Sequence, residues 1–183
     1  MNAIPCENLK IETERLILRP FNLHDLDDFA LICADPEVMR YIGNGKALEK
    51  ETTKDLLVWI ISQYEELGFG LLAVTLKENN RLLGFCGFIK QVIDNETHIE
   101  LGYRLDNAFW GQGIATEAAQ AMKNYAFNQL NIAHLISIIH VDNMASKQVA
   151  QKVGLSHIKQ THFKGNLVDV FCMRQVENCR SIN

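Results

Sequence analysis

The chain has 183 residues, 48% of them hydrophobic and 22% charged, with a net charge of −4. That length suits one domain with a sizeable core and is short for two. The negative balance argues against non-specific nucleic-acid binding, which needs a basic footprint, and no apolar run approaches the roughly 20 residues of a membrane span.

The opening residues, Met1 to Glu7, carry no basic and apolar signal-peptide pattern. Residues 14–20 predict a short strand closed by Pro20. Asn22 can cap a first helix with Leu26, Phe29, Ala30 and Cys33 on one face. Asp35-Pro36 ends it, because the residue before a proline is driven out of helical conformation. Residues 38–43 lead into a polar loop, and Thr52 or Thr53 opens a second helix. Its apolar positions are Leu56, Leu57, Ile60, Ile61, Tyr64 and Leu67, with Gly68 as a natural stop.

Residues 71–77 and 82–90 are β-rich runs joined by a hairpin connection at 78–81. Within the second run, Gly84 and Gly87 mark a bulge or a close backbone approach. Residues 92–97 read as a polar link into a central strand that begins at His98. Beyond Leu105, Asp106-Asn107-Ala108 is turn chemistry, and from Ile114 the apolar positions Ala115, Ala118, Ala119, Met122, Tyr125 and Ala126 have helical spacing. Residues 134–141 form a buried-type strand, which a helical crossover makes parallel to the central one. Asp142-Asn143 can cap a helix from Ala145 to Val153 that stops at Gly154. A second hairpin joins 155–163 to 167–174, and 176–183 reads as a polar, frayed tail. The five cysteines are odd in number and lack Cys-x-x-Cys spacing, so reduced thiols of a cytoplasmic protein are expected.

The informative stretch is the strand, loop and helix from 100 to 126. The first turn of a helix leaves backbone N–H groups unpaired, and the helix dipole adds positive charge there. Gly111 and Gly113 have no side chain and Ala115 only a methyl, so a phosphate can rest on the amides of residues 111–116. The same glycines also suit a plain tight turn. The third glycine of a dinucleotide fingerprint is missing, antiparallel strands precede the unit, and no Walker-type run occurs. A dinucleotide-dependent oxidoreductase and a nucleotide triphosphatase are both disfavoured.

Residues 103–119 resemble motif A of the GNAT N-acetyltransferases, whose loop Gln/Arg-x-x-Gly-x-Gly/Ala binds the pyrophosphate of acetyl-CoA. Gly113-Ile114-Ala115 match its end, while Trp110 stands where the family often has Gln or Arg. That departure recurs in the RimJ/RimL-like branch, which Thr-Glu-Arg-Leu-Ile-Leu-Arg-Pro at 13–20 and Asp-Pro-Glu-Val-Met-Arg-Tyr-Ile-Gly at 35–43 also resemble. The resemblance covers residues 13–174 of what is expected to be a single domain, 1–183. It implies an α/β GNAT fold, with one mixed, mostly antiparallel sheet and helices on both faces. It also implies acetyl-CoA as acetyl donor, no metal, and a primary amine as acceptor, either a protein N-terminus or a small molecule. The net negative charge suits a cationic amine.

Acetyl transfer to an amine must hold the donor, remove a proton from the ammonium and stabilise the leaving thiolate. A lysine-like amine of pKa about 10.4 is almost all protonated at neutral pH, a cost of roughly 4–5 kcal/mol. A base acting through water addresses that cost. Glu100 is the expected base, placed on the central strand where other family members carry a glutamate; the alternative is an ordinary ion-paired carboxylate. His98 and His140 are weaker candidates. The resemblance assigns the pantetheine arm to the strand at Tyr103, Arg104 and Leu105, by added-strand pairing. It assigns the pyrophosphate to Gly111, Gln112, Gly113, Ile114, Ala115 and Thr116, and a further contact with the arm to Asn143, which also reads as a helix cap. Many family members use a tyrosine as general acid where this chain has Ala150. Ser146, one turn earlier, is the expected substitute, and Ala150 also admits a module that binds acyl-CoA without turnover. No residues have metal-ligand spacing, and no Ser-His-Asp elbow occurs.

Overall fold

The computed structural model describes residues 9–175; the opening heptapeptide, the 176–183 tail, Cys6 and Cys179 lie outside them. The chain runs β1 (Ile11–Glu12), β2 (Leu16–Arg19), α1 (Leu26–Cys33), α2 (Pro36–Met39), α3 (Lys50–Leu67), β3 (Leu71–Leu76), β4 (Leu82–Ile93) and β5 (Glu96–Leu105). It continues through α4 (Ile114–Asn128), β6 (His134–His140), α5 (Met144–Val153), β7 (Ser156–Phe163) and β8 (Asn166–Arg174). The strands make one eight-stranded sheet in the order β1-β2-β3-β4-β5-β6-β8-β7. Only β5 and β6, joined through α4, are parallel; the remaining neighbours are antiparallel. The mixed, mostly antiparallel sheet is therefore as expected.

Side chains alternate across β5, and this places the helices. Arg104 points to the face where its guanidinium reaches Cys33 of α1, and its neighbour Phe85 on β4 meets Phe29 of α1 edge-on. Tyr103 points to the other face, where its hydroxyl donates to the Ser146 carbonyl of α5. Helix α3 packs on α1, and α4 on α5. Helices therefore cover both faces, over a core in which Leu16, Leu18, Phe29 and Leu57 are fully buried.

Local chemistry sets most boundaries. Asn22 caps a single 3-10 turn, Leu23–Asp25, that leads into α1, and Asp25 completes the capping box. Asp35 stops α1 and also caps α2, a short helix absent from the sequence reading. Helix α3 starts at Lys50, ahead of Thr52 and Thr53. The Thr53 hydroxyl bonds back to the Glu49 carbonyl, and its side chain is buried instead of capping. Gly68 ends α3 in the left-handed region, as expected.

The link expected at 92–97 is instead a tight hairpin. Strands β4 and β5 pair up to Ile93 and Glu96, with Asp94 and Asn95 alone at the turn, both at positive φ. Asn and Asp tolerate that region better than other side chains, so the polar segment turns without leaving the sheet. Gly84 and Gly87 are both close approaches: an added Cβ would stand 2.0 Å from the Arg104 carbonyl oxygen and 2.3 Å from that of Gly70.

Candidate active site

The loop after β5 is built from the turn outward. The Asp106 carboxylate accepts the Ala108 N–H at 3.0 Å, and the Trp110 indole N–H donates to the Leu105 carbonyl at 2.9 Å. The Gln112 amide folds back onto the Ala108 carbonyl. Gly111 and Gly113 then take φ of 74° and 80°, a region costly for side chains. Gly113 is the N-cap of α4 and supplies no capping side chain, so the first-turn amides keep their capacity to bind an anion. Gly111, Gln112 and Gly113 are exposed, Ala115 and Thr116 half-buried. The Ile114 side chain is in the core, which leaves only its backbone for a ligand.

The second feature is a split in the sheet. The β5–β6 ladder has its register pair at Glu100 and Ile136 and does not continue toward Leu105. Where it ends, side chains take the backbone groups that a further rung would pair. The Ser137 hydroxyl donates to the Leu101 carbonyl at 2.7 Å, and the Glu100 carboxylate accepts the Ile138 N–H. Backbone direction alternates along a strand, so Tyr103 and Leu105, like Leu101, direct their N–H and C=O toward the split. Arg104 directs its own toward β4, within the ladder. The Arg104 side chain is buried, 3.1 Å from the Cys33 sulfur and over the Phe85 ring. The Tyr103 backbone and the Leu105 N–H are thus directed to the split for added-strand pairing; the Leu105 carbonyl is taken by Trp110, and the Arg104 backbone faces β4.

Glu100 sits at the root of this split, on the α1 face. Gln91 donates to it at 2.9 Å. Burial raises its pKa above the ordinary 4.5, against the lowering effect of the Gln91 and Ile138 hydrogen bonds. A carboxylate whose pKa is raised is a stronger proton acceptor than an ordinary one. On the opposite face, the Asn143 side chain accepts the Ser146 N–H at 3.1 Å and caps α5. The Ser146 backbone is engaged at both ends, by Asn143 and by Tyr103. Burial raises the Tyr103 pKa, so its hydroxyl stays protonated. Ala150 is buried against the core.

The two histidine candidates stand on the same two strands, His98 two residues before Glu100 on β5 and His140 at the end of β6. His98 faces His134, with Nδ1 and Nε2 3.3 Å apart, in a hollow of about 450 Å³ that Ile93, Ile136, Ile158 and Val170 also line. His140 accepts the Asp142 N–H and stacks against Tyr41. Among the described residues, no cluster of His, Cys, Asp or Glu could hold a metal, and Cys33, Cys86 and Cys172 are free thiols.

Sequence reasoning missed Arg15 and Glu117, whose partnership spans 102 positions. Arg15 and Thr13, in the β1–β2 connection, hold the Glu117 carboxylate in the first turn of α4. Burial pushes the Glu117 pKa up, but the Thr13 hydroxyl and the Arg15 backbone and guanidinium outweigh it, so the net shift is downward. The signal was present as the Thr13-Glu14-Arg15 triplet, without anything to indicate its partner.

The exposed, uncapped start of α4 thus stands beside two splayed parallel strands. Residues 15–156 match the family model described as "Acetyltransferase (GNAT) domain". The chain is 35% identical over 153 residues to YkkB of Bacillus subtilis, an uncharacterized protein, covering 82% of this chain and 87% of that one. It is 27% identical to an acetyltransferase of Agrobacterium tumefaciens of known crystal structure, with a TM-score of 0.77 over 91% of this chain and 95% of that one. It also shares its fold with RimL, a ribosomal L7/L12 alpha-N-protein acetyltransferase solved with coenzyme A, at TM-score 0.76 and 18% identity, covering 91% of this chain and 98% of that one. The chain belongs to the GNAT acetyltransferase family and is an acetyl-CoA-dependent N-acetyltransferase.

Proposed function

We propose that this enzyme acetylates a protein N-terminal amine by direct attack within a ternary complex, with Glu100 as general base through water. The observation that carries the reading is the Glu100 carboxylate at the root of the strand split, its pKa raised by burial. Around it, the Tyr103 backbone and the Leu105 N–H pair with the pantetheine arm of acetyl-CoA. The amides of Gly111, Gln112, Gly113, Ile114, Ala115 and Thr116 receive the pyrophosphate, and Asn143 adds a contact with the arm. The Ser146 hydroxyl hydrogen-bonds the leaving thiolate, a role that Ala150 cannot fill. The Arg104 contribution is structural, through its buried side chain.

The acceptor class rests on the RimJ/RimL-like segments at 13–20 and 35–43. A second reading, a small-molecule amine, is favoured by the bond from the Asn166 amide to the Gly43 carbonyl at 2.9 Å. That bond ties the last hairpin to the loop after α2. Acetyl-CoA consumption with a panel of N-terminal peptides and small amines separates the two, and turnover with small amines alone would overturn the first. CoA should raise the melting temperature, because a ligand bound only to the folded state stabilises it by mass action, whereas NAD should not. Stabilisation by NAD with none by CoA, in a thermal-shift titration, would remove the donor site proposed above.

A further inference from the structure

The β1–β2 connection, far away in sequence, meets the start of α4. The Arg15 Nε and Nη2 both lie 2.7 Å from Glu117 Oε2, and the Arg15 backbone N–H donates to Oε1 at 2.9 Å. The Thr13 hydroxyl donates to the same Oε1. Arg15 Nη1 donates to the Gln112 carbonyl at 2.9 Å, and Nη2 lies 3.5 Å from where a Cβ on Gly113 would stand.

This arrangement bears on two groups that oppose a phosphate. A carboxylate in the first turn of a helix is drawn to the dipole's positive end and competes there with an incoming anion. Glu117 is such a group, and Arg15 and Thr13 hold it against the β1–β2 connection. The Gln112 carbonyl is also an electron-rich oxygen in the loop, and Nη1 satisfies it. A guanidinium fork can grip a carboxylate bidentately and still carry N–H groups for another partner. The Arg15 side chain keeps 43% of its surface exposed beside Gly113.

Building on the reading of residues 111–116 as the diphosphate seat, we propose that Arg15 is a positioning residue for the donor's diphosphate. It holds Glu117 and the Gln112 carbonyl in place and adds positive charge at Gly113. Glycine and helix start supply the amides; Arg15 makes the electrostatic environment around them favourable to an anion.

Calorimetric titration of wild type, Arg15→Ala and Arg15→Lys with CoA and with pantetheine, which lacks the diphosphate, tests this. Arg15→Ala should weaken CoA binding about fivefold, the upper range for an exposed charge contact, with pantetheine affinity unchanged. Arg15→Lys should recover part of the loss, since it restores charge without the fork. Unchanged CoA affinity in folded Arg15→Ala overturns the proposal, as does an equal loss for both ligands, which marks a general structural effect. If Arg15→Ala does not fold, Arg15→Lys decides: about a twofold loss for CoA alone supports the role, and full affinity overturns it. Wild-type protein that binds no CoA, or a folded Gly113→Glu variant with full CoA affinity, instead overturns the underlying reading of the loop.

Discussion

Glu100→Gln is expected to lower kcat by roughly 10²–10⁴, the usual share of a general base, with CoA affinity unchanged. The substitution is nearly isosteric, and an amide oxygen can still accept the Ile138 N–H. What disappears is a group able to take the ammonium's proton. Because burial raises the carboxyl pKa above 4.5, it ionises only at higher pH, and wild-type kcat should fall on the acid side above the ordinary carboxylate range. That limb should vanish in Glu100→Gln. The loss should also shrink as pH rises toward the amine's own pKa, because more acceptor then arrives deprotonated. Stability should not suffer. A raised folded-state pKa means that the native protein loses stability as pH climbs from the unfolded value to the folded one, so removing the charge costs nothing at neutral pH. Ser146→Ala should give a loss nearly independent of pH, since it acts on the leaving thiolate. Near wild-type kcat for Glu100→Gln at pH 7 would transfer the base to His98, His140 or the substrate's surroundings.

Gly113→Glu is expected to weaken CoA binding at least tenfold, about 1.4 kcal/mol, in a protein that still folds. Space is not the obstacle, since the nearest atom to an added Cβ is Arg15 Nη2 at 3.5 Å. Two other effects are. At φ of 80° any side chain carries backbone strain, about 1 kcal/mol. The new carboxylate would also lie next to the first-turn amides and the Arg15 guanidinium, where it competes with the diphosphate for the same donors. Calorimetry on the folded variant checks this, and unchanged affinity would place the phosphates elsewhere than residues 111–116.

What the sequence determined by itself was local. Asn143 before a helical run, Gly68 and Gly154 after one, and the proline at 36 act within a few residues, and each boundary lies where that chemistry puts it. The strand, glycine loop and helix around Gly113 were legible for the same reason, because turn geometry and amphipathic spacing are read along the chain. Two local readings failed where local signals were ambiguous. Asp94-Asn95 lacks the glycine that usually announces a two-residue hairpin, and Thr53 is an able cap residue that burial on the core side of α3 claims instead.

The tertiary structure alone decided where the sheet splits, because a ladder ends through the register and splay of two strands that α4 separates. From that split follow the capture of the Ile138 amide by Glu100 and of the Leu101 carbonyl by the Ser137 hydroxyl. The Arg15–Glu117 latch is of the same kind. Opposite charges attract wherever the fold brings them together, and their spacing along the chain carries no trace of it.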